Sequence, residues 1–144
     1  MRHLSISAAA LLSAVVLTTG CSGSPDKATT GVAGDGTIVT TEKDFGIALE
    51  ETSTPAGSTT FDITNDGPST HELAVIKTDL AADALPVDGS TVAEENLDLV
   101  DEAEDIAPGV GTSLTVDLEP GSYVVICNVE GHYTAGMHAA LTVT

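Results

Sequence analysis

No tryptophan occurs in this 144-residue chain, and aromatic residues make up only 3% of it. A surface that stacks sugar rings or nucleobases needs such side chains, so the chain offers no platform of that kind. Cations are almost as scarce: four Lys and Arg stand against 22 acids, a formal net charge of −18. That balance makes nucleic acid and anionic membrane surfaces poor partners, and it serves solubility at least as readily as it would steer a basic protein. No internal repeat, phosphate-cradling glycine loop, zinc-ligand spacing or Ser-His-Asp arrangement is visible, which argues against an enzyme.

Cysteine is limited to Cys21 and Cys127. Before the first of these, Arg2 and His3 precede an apolar stretch from Leu4 to Leu17, and Thr18-Thr19-Gly20 lead to the cysteine. The stretch is too short and too rich in small residues for a comfortable spanning helix. It reads as an export signal over residues 1–20 and resembles a bacterial lipoprotein signal, with Cys21 as the acylated first residue. The alternatives are ordinary secretion, a periplasmic protein, or an uncleaved anchor. One disulfide between the two cysteines is the simplest arithmetic for an exported chain. A lipid on Cys21 removes that option and leaves Cys127 a lone thiol in an oxidising compartment, where metal ligation would protect it. The expected location is the extracytoplasmic face of the cell membrane.

Residues 21–36 are rich in Gly, Ser, Thr, Ala and Asp, as expected of a flexible tether. A single domain over 37–144 then follows. Seven short strands are expected, at Thr37 to Thr41, Phe45 to Glu51, Thr59 to Thr64, His71 to Lys77, Ser113 to Leu118, Tyr123 to Asn128 and Met137 to Val143. Seven strands punctuated by turn residues predict an all-β sandwich or barrel. Alternation places Tyr123, Val125 and Cys127 on one face, and His71, Leu73 and Val75 on another, while His138 points outward. Between strands four and five lies an acidic excursion, 79–108, with two helix-like pieces. The first is a turn capped by Asp79 and stopped by Pro86; the second runs from Glu94 to Glu104, with Val92, Asn96, Leu99 and Ala103 near helical spacing.

The last strand and its loop hold Cys127, His132 and Met137 at intervals of five residues. Thiolate and thioether favour Cu(I), imidazole accepts either oxidation state, and two His, one Cys and a weak axial Met make the ligand list of a blue-copper site. His71 is the supplier of the second imidazole, since His3 and His138 are badly placed. Each residue alone has a plainer reading: Cys127 as a small buried hydrophobe, Met137 as core filler, His71 as a hydrogen-bonded residue at a strand end. The ordered set is what points to copper.

These residues resemble the cupredoxin family, Greek-key sandwiches holding one type 1 copper, over roughly 37–144. The resemblance implies a first ligand His after an Asn-Gly-type turn, matched by Asn65-Asp-Gly67-Pro-Ser-Thr-His71. It implies the other three from one loop, matched by Cys127, His132 and Met137 of the longer-loop type. Where the family commonly has Asn or Ser after its first His, and Ser or Thr after its Cys, this chain has Glu72 and Asn128. A tie between strand and loop would then need Asn128 as donor and Glu72 as acceptor. The resemblance implies an apolar patch around His132 that passes the electron outward, supplied here by Gly131, Tyr133, Thr134, Ala135 and Gly136, although Tyr133 reads equally well as an ordinary loop aromatic. The implied function is a monomeric, membrane-tethered electron carrier serving a c-type cytochrome or terminal oxidase. The alternative is a protein that buffers or delivers copper without electron-transfer turnover.

Overall fold

A computed structural model of the chain describes residues 36–144. The expected signal 1–20, the acylation site Cys21 and the tether, apart from Gly36, lie outside the described residues. Two sheets face each other. The first has four strands in the order β2-β1-β4-β9, from β1 (Gly36–Lys43), β2 (Gly46–Leu49), β4 (Gly57–Asn65) and β9 (Gly111–Leu118). The second has the order β3-β11-β10-β5-β8, from β3 (Ser53–Thr54), β5 (His71–Lys77), β8 (Asp98–Ile106), β10 (Gly121–Ile126) and β11 (His138–Val143). β1 lies parallel to β4 and β3 parallel to β11; the remaining pairs are antiparallel. The all-β sandwich expected from the turn-punctuated strands is thus what the chain forms.

Period-two alternation builds the core between the sheets. Ile38 from β1, Phe61 and Ile63 from β4, and Leu114, Val116 and Leu118 from β9 meet Leu73, Val75, Tyr123, Val125, Leu141 and Val143 from the opposite sheet. The other faces of β5 and β10 are buried as well. Ala74, Ile76, Val124 and Ile126 pack under Leu85, Val92 and Tyr133, so the part of the excursion before β8, residues 79–97, roofs the second sheet. That is why Tyr123 to Cys127 are buried without interruption.

The excursion departs from its expected helical form. A hairpin of β6 (Val87–Asp88) and β7 (Thr91–Val92) is followed by one 3-10 turn at Glu94–Asn96, and then β8 pairs antiparallel with β5. The pairing slips twice: Leu73 opposes Ala103 where His71 opposes Ile106, and Ile76 opposes Leu99 where Val75 opposes Asp101. Each slip adds one residue to β8, and bulges of this kind stretch a period of two into steps of three, as from Val100 to Ala103 to Ile106 on the core face. Those steps imitate helical spacing in the sequence. The one α-helix among the described residues, α1 (His132–Ala135), lies instead in the loop between β10 and β11.

Tyr133 fastens this roof. It is 4% exposed, its hydroxyl donates to the Ala82 carbonyl at 2.9 Å and accepts the Leu85 N–H at 2.8 Å. Tyr133→Phe leaves the Leu85 N–H without an acceptor, at a cost of about 1–3 kcal/mol. Urea unfolding should show that loss, and amide exchange should accelerate in 131–136; unchanged values in both would refute the role.

Candidate metal centre

Three segments converge at one end of the sandwich. His71 opens β5, directly after a turn organised by the fully buried Asn65. The Asn65 side chain donates to the Ser69 and Ile106 carbonyls, both at 2.8 Å, and accepts the Gly67 N–H at 2.8 Å. Cys127 follows the last residue of β10, and its N–H donates to the Met137 carbonyl at 3.1 Å. The Met137 N–H donates in turn to the His132 carbonyl at 3.1 Å. The loop is therefore closed on itself by its backbone, with Gly131 and Gly136 at positive φ on either side of α1. At Gly136 a side chain would press within 3.2 Å of the Phe45 carbonyl, so this glycine also permits a close approach of two loops.

The functional atoms meet in a triangle. Nδ1 of His71 and Nδ1 of His132 are 3.2 Å apart, and Sγ of Cys127 lies 3.7 Å from the first and 3.4 Å from the second. A trigonal ion with metal–nitrogen and metal–sulfur bonds of about 2.0–2.3 Å needs donor edges of about 3.5–3.8 Å. The triangle matches that requirement to within a few tenths of an ångström. His71 and Cys127 are fully buried and His132 is 9% exposed, so the three atoms are shielded from bulk water, and Met137 on the same loop is fully buried as well. Among the described residues this is the one cluster of His, Cys and carboxylate groups positioned to hold a metal ion.

Charge states suit the same task. Burial lowers the His71 pKa, the neighbouring His132 lowers it further, and Asp44 opposes both. The imidazole is thereby kept neutral, with a lone pair to offer. Burial pushes the buried, free Cys127 thiol up to about 11, against the backbone N–H groups of Glu72 and Val129 that favour the thiolate. A metal ion must displace that proton. Loading with Cu(II) at about pH 8 is expected to release about one proton per ion, readable by calorimetry in buffers of different ionisation enthalpy. Release near zero would mean that the thiol is not a ligand.

Around the triangle, the sequence-derived neighbours take other partners. The Asn128 side chain is used by β7: its oxygen accepts the Val92 N–H at 2.6 Å and its amide donates to the Val92 carbonyl at 3.1 Å. Glu72 is approached by the backbone N–H of Asn128, which partly offsets the rise to about 7 caused by burial and by the Glu94 charge. The expected strand-to-loop tie thus keeps Glu72 as acceptor and Asn128 as donor, but through the backbone N–H, because the Asn128 side-chain amide completes the edge of the β6–β7 hairpin. Tyr133, expected in a surface patch, is a buried anchor, and His138 is half-buried with its ring 5.3 Å from that of Tyr133.

Two neighbours were not visible in the sequence. Both lie in the turn between β1 and β2. Oδ1 of Asp44 is 3.1 Å from Nε2 of His71, and Oδ2 accepts a 2.6 Å hydrogen bond from the Ser69 hydroxyl. Phe45, 55% exposed, sets its ring edge-on to His132 at 5.7 Å. The register Glu42 with Asn65 in the parallel β1–β4 pair is what delivers this turn to His71. No local pattern in residues 42–46 announces that register.

Residues 36–144 match the profile of the copper-binding proteins of the plastocyanin/azurin family. Comparison with curated protein sequences gives no match. Among solved structures, reduced auracyanin from the photosynthetic bacterium Roseiflexus castenholzii is 20% identical, with a TM-score of 0.58 over 78% of this chain and 99% of that one. Auracyanin A, a "blue" copper protein from Chloroflexus aurantiacus, is 21% identical, with a TM-score of 0.53 over 75% and 98%. An azurin from Methylomonas sp. strain J is 16% identical, with a TM-score of 0.54 over 75% and 97%. At these identities the likeness is one of fold.

Proposed function

The chain belongs to the plastocyanin/azurin family of copper-binding proteins, and from that premise we propose that it is a type 1 copper electron carrier. The observation that supports this most is the shielded triangle of His71 Nδ1, Cys127 Sγ and His132 Nδ1, with edges of 3.2–3.7 Å. These three would hold the ion, and the buried Met137 would add its thioether as the weak fourth donor. Copper supplies a one-electron couple when bound.

What the protein adds is rigidity. β5 and β10 hold His71 and Cys127, and the loop hydrogen bonds from Cys127 to Met137 and from Met137 to His132 restrain the rest. Donors held in this way move little between oxidation states, which keeps the reorganisation of an electron exchange small. The edge of Phe45 and the exposed Thr134 and Ala135 border His132 and form the face a redox partner would meet. The partner we propose is a c-type cytochrome or terminal oxidase, approached from a chain tethered outside the cell membrane through Cys21. With −18 of formal charge, exchange with a basic partner should slow as salt rises.

Titration of the full chain with Cu(II) tests the reading. One equivalent should produce an intense visible thiolate-to-copper band that bleaches and returns with reduction and reoxidation, and reduced cytochrome c should be oxidised rapidly. Tight copper binding without that exchange would favour buffering or delivery. A colourless protein would remove the type 1 assignment.

A further inference from the structure

Asp44 is the one acid among the described residues that sets a carboxylate oxygen against a histidine ring nitrogen. Its Oδ1 is buried and has no partner except Nε2 of His71, 3.1 Å away, and that Nε2 has no other partner either. The contact lies off the straight line of an ideal hydrogen bond. Such contacts commonly tighten when the bound state forms. The second oxygen is committed to Ser69 at 2.6 Å, so the carboxylate cannot swing away without losing that bond. The Ser69 hydrogen bond holds the Asp44 carboxyl below its ordinary range, and a carboxylate is an acceptor only.

Gly67 closes over this pair. A Cβ there would lie 2.7 Å from Oδ1 of Asp44 and 2.8 Å from Nε2 of His71. The turn is built to leave room for that one contact, and Asn65 holds it in shape by accepting the Gly67 N–H. Three separate features, the Ser69 clamp, the glycine and the orphaned ring nitrogen, thus serve the same two atoms.

We propose that Asp44 is a positioning residue of the metal centre: its carboxylate holds the Nε2 proton of His71 and thereby leaves Nδ1 bare toward Cys127 and His132. An imidazole has one proton for two nitrogens when neutral, so fixing it at Nε2 selects the tautomer able to ligate through Nδ1. The carboxylate also makes that nitrogen a stronger donor and places a negative charge one ring away from the site, which favours Cu(II) over Cu(I). This rests on the copper reading of the triangle, but the tautomer can be read without any metal.

The experiment uses the full chain as wild type, Asp44→Ala and Asp44→Asn. Two-bond proton–nitrogen correlation spectra of the metal-free proteins report which His71 nitrogen bears hydrogen. Wild type should show Nε2–H alone, and Asp44→Ala should populate the Nδ1–H form and bind Cu(II) about 10- to 100-fold more weakly. Asp44→Asn keeps an oxygen acceptor without the charge; it should recover the tautomer and most of the affinity while its reduction potential stays above that of wild type. An unchanged tautomer and affinity in Asp44→Ala would overturn the proposal, as would a wild-type potential in Asp44→Asn. Should Asp44→Ala fail to fold, Asp44→Asn decides through its potential. If wild type itself binds no copper, the carrier reading fails, and the tautomer still reports on the Asp44 contact.

Discussion

Cys127→Ser is expected to eliminate the visible copper band and to lower Cu(II) affinity by more than the 10- to 100-fold typical of losing a group behind a ligand. The band belongs to the thiolate, and a serine hydroxyl neither ionises comparably nor offers a soft donor. His71 and His132 would remain 3.2 Å apart, one donor short of the trigonal set. The backbone N–H groups of Glu72 and Val129, which favour the thiolate, have an oxygen to meet in the variant. The metal-free variant should therefore keep its fold, with a cost of about 1–3 kcal/mol for burying a hydroxyl. Circular dichroism and urea midpoints of the metal-free proteins separate loss of ligand from loss of structure. A folded Cys127→Ser protein that still shows the band would contradict the assignment.

Glu42→Gln should stabilise the protein at alkaline pH and flatten its pH dependence. Glu42 is the third inward side chain of β1, after Ile38 and Thr40, and it is fully buried. Neither of its carboxyl oxygens has a hydrogen-bond partner, and the two lysines among the described residues, Lys43 and Lys77, pair instead with Asp66 at 3.9 Å and Glu119 at 2.7 Å. Burial, with the Glu72 charge adding repulsion, pushes the Glu42 carboxyl up to about 8 from 4.5. The folded state thus binds this proton more tightly than the unfolded state. Its contribution to stability is fully present below about 4.5 and is lost as pH rises through about 8, an effect of roughly 3–5 kcal/mol.

Glutamine imitates the protonated acid in shape and cannot ionise. Urea midpoints at about pH 5 and about pH 9 should fall steeply in wild type and much less in the variant, with a residual slope from Glu72, itself raised to about 7. A variant with the wild-type slope would show that Glu42 binds its proton no more tightly in the folded protein than in the unfolded chain.

The metal loop and the sandwich were legible for the same reason: both depend on spacing within short stretches. Five-residue intervals place Cys127, His132 and Met137 on one loop, and alternation in Thr60-Phe61-Asp62-Ile63 declares a half-buried strand. β8 was not legible because two bulges erase its period. Glu94 to Glu104 then offers 3- and 4-residue steps that a helix would also produce, and pairing with β5, a long-range event, overrides them.

Local order along the chain was enough to specify the β architecture, the placing of Cys127, His132 and Met137 on one loop and, through the Asn65–Gly67 turn, the entry of His71. Only folding in three dimensions could bring Asp44 to the far side of the His71 ring, set Phe45 against His132 and bury Glu42 without a partner. Those placements follow from the parallel register of β1 on β4, where Glu42 lies beside Asn65. A register between strands distant in sequence arises from how two faces pack, and residue spacing within either strand alone does not contain it.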